Sequence, residues 1–132
     1  MRRKRVFSLI TLLCFALAVV AAGKRFTLVI DAGHGGGDNG APGAYSNEKD
    51  LTLKYALAFG RYVERNCPDV KVIYTRTTDI FVTLAGRADI ANRNKADLFL
   101  SFHINAITGS KSARGFQSWT LGRGAQSGDR GI

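Results

Sequence analysis

The stretch Leu28-Val-Ile-Asp-Ala-Gly-His-Gly-Gly-Gly37 constrains this chain more than any other. An aliphatic run closed by Asp31 reads as a buried strand ending, and the glycines after it permit backbone angles that other residues avoid. His34 stands in that turn with open space beside its imidazole. Two plainer readings compete on this segment alone: a glycine loop with an incidental histidine, or a phosphate cradle. The Gly-x-x-x-x-Gly-Lys-Ser/Thr pattern of a phosphate loop is missing, which weakens the second.

Ahead of this stretch, Met1-Arg-Arg-Lys-Arg5 is basic and Val6 to Ala22 is apolar but for Ser8 and Thr11, with small residues at Ala21, Ala22 and Gly23. That is the layout of a secretory signal peptide over residues 1–22, cleaved after Ala22 or Gly23. The rival is an uncleaved anchor, because the run is of borderline length for a membrane span. Cys14 lacks the small-residue approach of a lipoprotein site. Both readings put the remainder outside the cytoplasm, in the periplasm or cell envelope, with membrane contact only through the leader.

Residues 23–132 suffice for one domain with a core and not for two. Without the leader the chain keeps 15 basic and 10 acidic residues, a net charge of +5. The excess is dispersed, which argues against nucleic acid as a partner and permits attraction to an anionic polymer such as a cell wall. Cys67 is then the only cysteine, a half-buried thiol at a helix end, and no intrachain disulfide is available.

A first strand is expected from about Phe26 to Asp31. Gly35 to Asn47 holds five of the fifteen glycines and Pro42, and reads as a long ordered loop of the kind that is often functional. Leu51, Leu53, Ala56, Leu57, Phe59, Gly60 and Val63 recur at helical spacing, so Glu48 to about Asn66 should be an amphipathic helix capped by Ser46 or Asn47. Glu48 and Asp50 suit its positive end, and Pro68 stops it.

Val70 to Thr75 is a second strand, followed by a turn over Arg76 to Asp79. Thr83 caps a helix from about Leu84 to Asn94, with Leu84, Ala88, Ile90 and Ala91 inward and Arg87, Asp89 and Arg93 mostly outward. Ala96 to Phe102 is a third strand, apolar enough to be central, and Gly115 to Leu121 a fourth. Strand, helix, strand, helix, strand makes two β-α-β units. The expected architecture is an α/β three-layer sandwich with a mostly parallel sheet and helices on both faces.

Ligands bind where the carboxyl ends of parallel strands gather. The first strand ends near His34 and the third at His103, and Glu48 opens the helix that leaves the same edge. Each residue alone has a structural reading: a satisfied histidine after a strand, a glutamate on a helix dipole. Together, two imidazoles and a carboxylate from three elements form the open three-ligand set of catalytic zinc, which leaves a fourth position to water. Metal-bound histidines give their second ring N–H to a carboxylate or carbonyl, and Asp31 is a candidate acceptor; the alternative is that Asp31 binds the backbone of the glycine loop.

The residues now carry a resemblance. Val29-Ile-Asp-Ala-Gly-His-Gly-Gly36, Asn47-Glu-Lys-Asp-Leu51, Thr75-Arg76 with Asp79, Leu84 with Arg87 and Ala91-Asn92, and Ala96 to Ala106 resemble, in order, the zinc-dependent N-acetylmuramoyl-L-alanine amidases of peptidoglycan metabolism. The resemblance implies that His34, Glu48 and His103 are zinc ligands, and that Asp31, Arg76, Arg87 and Asn105 shape or support the site. It implies a hydrolase that cuts the amide between N-acetylmuramic acid and the L-alanine of the stem peptide, with peptidoglycan as its partner.

The family's general base is a glutamate near the end of the domain, and this sequence has none after Glu64. Asp129 lies in a glycine-rich tail and matches no family motif. The expectation is therefore that residues 23–132 are the N-terminal part of the catalytic domain, with the base beyond Ile132 and weak or absent activity. Two alternatives stay open: a catalytically silent peptidoglycan-binding module, and another zinc peptidase.

Overall fold

The computed structural model describes residues 24–105 and 115–120. The leader, the tail with Asp129, and Leu121 of the expected fourth strand lie outside the described residues. Among the described residues three strands form one sheet: β1 (Phe26–Ala32), β2 (Val70–Tyr74) and β3 (Leu98–Phe102), in the order β2-β1-β3. Both pairings are parallel, with Ile30 opposite Tyr74 on one side and Leu100 on the other. Helix α1 (Glu48–Asn66) connects β1 to β2, and α2 (Leu84–Arg93) connects β2 to β3.

The first crossover runs from β1 to one neighbour, and the second returns past β1 to the other. Two right-handed crossovers in opposite directions put their helices on opposite faces. The side chains agree. Leu28, Ile30 and Ala32 alternate onto one face and pack with Ala56 and Val63 of α1. Thr27, Val29 and Asp31 point the other way, where Arg87 of α2 reaches Asp31. Val29 and Ile30 are wholly buried, so the central strand is covered on both faces.

Local signals set the boundaries. Asn47 precedes α1, and its amide donates to Asp50 Oδ2 at 3.3 Å, while Thr83 Oγ1 accepts the Gly86 amide at 3.0 Å at the start of α2. The third strand begins two residues later than expected. Asp97 spends its backbone and side chain on Thr27 instead: its amide donates to the Thr27 carbonyl at 2.8 Å, and its carboxylate accepts the Thr27 amide at 2.8 Å.

Three expectations are corrected. The third strand, expected to be central, lies at an edge of the sheet among the described residues, with Leu98 and Phe99 exposed, because β1 takes the centre between its two parallel partners. Gly115 to Thr120 is not a strand: these residues are exposed and join no ladder, and a strand without a partner has nothing to satisfy its backbone. In α2, Arg87 points inward and is buried, while Leu84 is 70% exposed. Charge there outranks hydropathy, because Asp31 buried on β1 demands a cation.

Candidate metal centre

The carboxyl edge of the sheet carries the site. Past Ala32 the ladder continues by one bond, with the Gly33 amide donating to the Phe102 carbonyl at 3.0 Å, and this sets His34 beside His103. Gly33 must be bare: a Cβ there would lie 2.6 Å from His103 Nε2. His34 adopts φ 61°, a left-handed conformation that costs a non-glycine residue energy and turns the ring into the crevice.

His34 Nε2 lies 3.2 Å and His103 Nδ1 3.1 Å from the same oxygen, Glu48 Oε1. The two rings meet edge to face at a centroid distance of 4.9 Å. One donor atom from each of the three residues falls within 4.8 Å of the others. Two imidazoles that crowd one carboxylate oxygen are a donor set that can hold a metal ion.

Glu48 is buried and anchored on both oxygens: Oε2 accepts the Ala41 amide at 2.9 Å and Oε1 the Ile104 amide at 2.8 Å. Burial pushes its carboxyl up, but the Ala41 and Ile104 amides and the two imidazoles together hold it below the ordinary carboxylate range. The site therefore presents a carboxylate, not a carboxylic acid, at neutral pH.

Two buried arginines fasten the His34 turn from below. Arg76 Nε donates to the Ala32 carbonyl at 2.9 Å, and its Nη2 to the carbonyls of Gly33 and Lys49 at 2.8 and 2.9 Å. Arg87 Nη1 donates to Ala32 O at 2.7 Å and Nη2 to His34 O at 2.8 Å. From the solvent side, Lys49 Nζ bonds Gly36 O and Asp79 at 2.8 Å, and Asp79 accepts the Gly36 amide at 2.7 Å.

Asp31 touches neither histidine nor the glycine loop. Its carboxylate accepts Thr75 Oγ1 at 2.6 Å, Ser101 Oγ at 2.6 Å and Arg87 Nη1. Strand alternation aims it under the sheet toward α2, so both expected hydrogen-bond roles are corrected. The carboxylate against His34 is Asp38, whose Oδ2 lies 2.8 Å from Nδ1. Sequence reasoning passed over Asp38, although a short carboxylate four residues after a histidine in a glycine turn is a usable signal. Asn105 Nδ2 donates to Gln117 Oε1 at 2.9 Å.

A parallel α/β sheet with a His-Glu-His donor set at its carboxyl edge defines an α/β protein with a candidate metal centre. Residues 28–130 match the model of the N-acetylmuramoyl-L-alanine amidase family, and the chain belongs to that family. It is 41% identical over 92 residues to a sporulation-specific N-acetylmuramoyl-L-alanine amidase of Bacillus subtilis, covering 70% of this chain and 34% of the relative. An endolysin of Bacillus phage SPP1 is 43% identical over 95 residues, covering 68% of this chain and 32% of the relative. The chain thus spans about a third of the length of these curated relatives.

Among solved structures, an N-acetylmuramoyl-L-alanine amidase from Clostridium difficile 630 superposes with a TM-score of 0.65 at 37% identity, over 70% of this chain and 50% of that one. The catalytic domain of the amidase CwlV from Bacillus (Paenibacillus) polymyxa var. colistinus gives 0.62 at 38% identity, over 67% and 49% of the two chains.

Proposed function

We propose that this chain carries the zinc-binding residues of an exported peptidoglycan hydrolase, which cleaves the amide between N-acetylmuramic acid and the L-alanine of the stem peptide. The observation that carries the reading is the convergence of His34, Glu48 and His103 on one point, within the segment that matches the amidase family. The basic start and apolar run of residues 1–22 support export.

The donor set suits zinc. Two neutral imidazoles and one carboxylate are the ligands of several catalytic zinc sites, and Glu48 is already ionised for the task. When bound, the ion supplies Lewis acidity that polarises a scissile carbonyl and acidifies water to a pKa of about 7. The chain's own part is to hold three donors in place before any ligand arrives. Arg76 and Arg87 fix the carbonyls on either side of His34, and the Ala41 and Ile104 amides fix the glutamate. Glu48 is committed to two amides and two imidazoles and serves as a ligand, not as the general base.

Metal analysis of the 132-residue chain refolded with zinc tests the metal half, with one zinc per wild-type chain expected and its loss in His34→Ala and His103→Ala. Substoichiometric zinc in the wild type, or wild-type zinc in both variants, rules it out. Mass identification of the bond cut in purified muropeptides tests the substrate half. Release of L-alanine-terminated peptides supports the amidase; binding to sacculi without cleavage supports a silent module; a cut elsewhere in the peptide indicates another zinc peptidase.

A further inference from the structure

The two imidazoles of the metal centre are held differently. His103 is half exposed, and its Nδ1 is the nitrogen that faces Glu48. His34 faces Glu48 through Nε2, and its Nδ1, on the far side of the ring, meets Asp38 Oδ2 at 2.8 Å. Asp38 is itself built in. Its amide donates to Gly35 O at 3.1 Å and its carbonyl accepts the Gly35 amide at 2.9 Å, closing a tight four-residue turn. Its second oxygen, Oδ1, accepts the Gly40 amide at 3.1 Å. The carboxylate therefore has one oxygen pinned to the backbone and the other aimed at the ring.

We infer that Asp38 is the positioning residue of His34: it accepts the Nδ1–H, fixes the tautomer that bares Nε2, and so orients that nitrogen for the metal before the metal binds. The inference rests on the proposed zinc site for its purpose, and on the observed His34–Asp38 contact for its substance. A neutral imidazole carries one proton, and a carboxylate acceptor on Nδ1 keeps that proton there and leaves the Nε2 lone pair free. Without Asp38 the Glu48 carboxylate, 3.2 Å from Nε2, draws the proton onto the nitrogen that must be bare for a metal. Outer partners of this kind are worth about 10- to 100-fold in metal affinity. Asp38 touches no substrate in this role; it acts through His34.

Two measurements test it on the 132-residue chain, which has only two histidines, so ring signals are readily assigned. The first needs neither metal nor variant: ring ¹⁵N shifts of zinc-free protein near pH 8 should show His34 protonated on Nδ1. A His34 proton on Nε2 overturns the inference, whatever the fate of the zinc reading. The second is zinc competition with a chromophoric chelator. Asp38→Ala should weaken zinc by about 10- to 100-fold and shift the His34 proton toward Nε2. Asp38→Asn, which keeps a neutral acceptor, should recover part of the affinity. A loop-loosening role alone would lower the thermal midpoint and leave the tautomer unchanged, and that outcome, or unaltered zinc affinity in Asp38→Ala, overturns the inference. Loss of zinc binding by the wild type with the His34 tautomer as stated would instead sink the metal reading and leave the contact standing.

Discussion

Arg87 Nη1 sits 2.5 Å from Asp31 Oδ1, and both side chains are buried beneath the turn that carries His34. The pair joins α2 to the central strand at the one level of the sheet where the metal donors gather. Charge burial of this kind is costly to assemble and more costly to break.

Replacing Arg87 by alanine should therefore be among the most damaging single changes in the domain. It leaves the Asp31 carboxylate buried without its cation, frees the His34 carbonyl and leaves that of Ala32 to Arg76 alone. The expected loss is about 3–5 kcal/mol, read from urea unfolding midpoints. Pairing it with Asp31→Leu should recover part of that loss; strictly additive losses would show that the two charges are not coupled.

Gly33→Ala should separate the metal centre from the fold. The new methyl would press on the His103 ring, which is a half-exposed side chain free to swing outward. Unfolding stability should change by less than about 1 kcal/mol, since no well-packed group is displaced. Zinc affinity should fall by about 10-fold or more as one donor leaves its place. Equal zinc binding in variant and wild type would mean that His103 is not a ligand.

Acid should loosen the start of the sheet. The Lys24 ammonium and then the Thr27 amide hold the Asp97 carboxyl below its ordinary value, so the folded state binds a proton there less readily than the unfolded chain. That difference stabilises the fold at any pH above the unfolded value of about 3.9, and it disappears as pH falls through the lower folded value. Asp97→Asn should lower the urea midpoint at pH 6 and leave a smaller drop between pH 6 and pH 3. A wild-type-sized drop in the variant would assign the acid sensitivity to other carboxylates.

The Thr83 cap should matter beyond its size, because α2 delivers Arg87. Thr83→Ala removes the acceptor of the Gly86 amide, at an expected cost of about 0.5–2 kcal/mol. Hydrogen exchange should quicken first in α2, ahead of β1; uniform quickening would show that α2 has no separate opening.

Much of the fold is legible residue by residue. The unbroken run Leu28 to Ile30 marks a buried strand, and both of its neighbours pair with it in parallel. The helix of Glu48–Asn66 starts and stops where its acidic first turn and Pro68 place it. Hydropathy misled in α2, where the amphipathic pattern put Leu84 inward and Arg87 outward and the structure does the reverse. A short helix with one buried ion pair obeys that pair before it obeys its apolar stripe.

What the sequence by itself determined is which chemistry is present and on which edge: two histidines and a glutamate at the carboxyl ends of parallel strands, because period-2 and period-3.6 patterns specify elements and a parallel sheet has one edge where its strands end. Only the tertiary structure decided which carboxylate serves which partner. Asp31 is three residues before His34 and Asp38 four after it, and chain distance favours the first. Strand alternation sends Asp31 under the sheet to Arg87, Thr75 and Ser101, while the left-handed backbone at His34 and the Gly35–Asp38 turn fold Asp38 back onto the ring. A hydrogen bond is set by direction as much as by reach, and direction is settled only when strands, turn and helix are packed together.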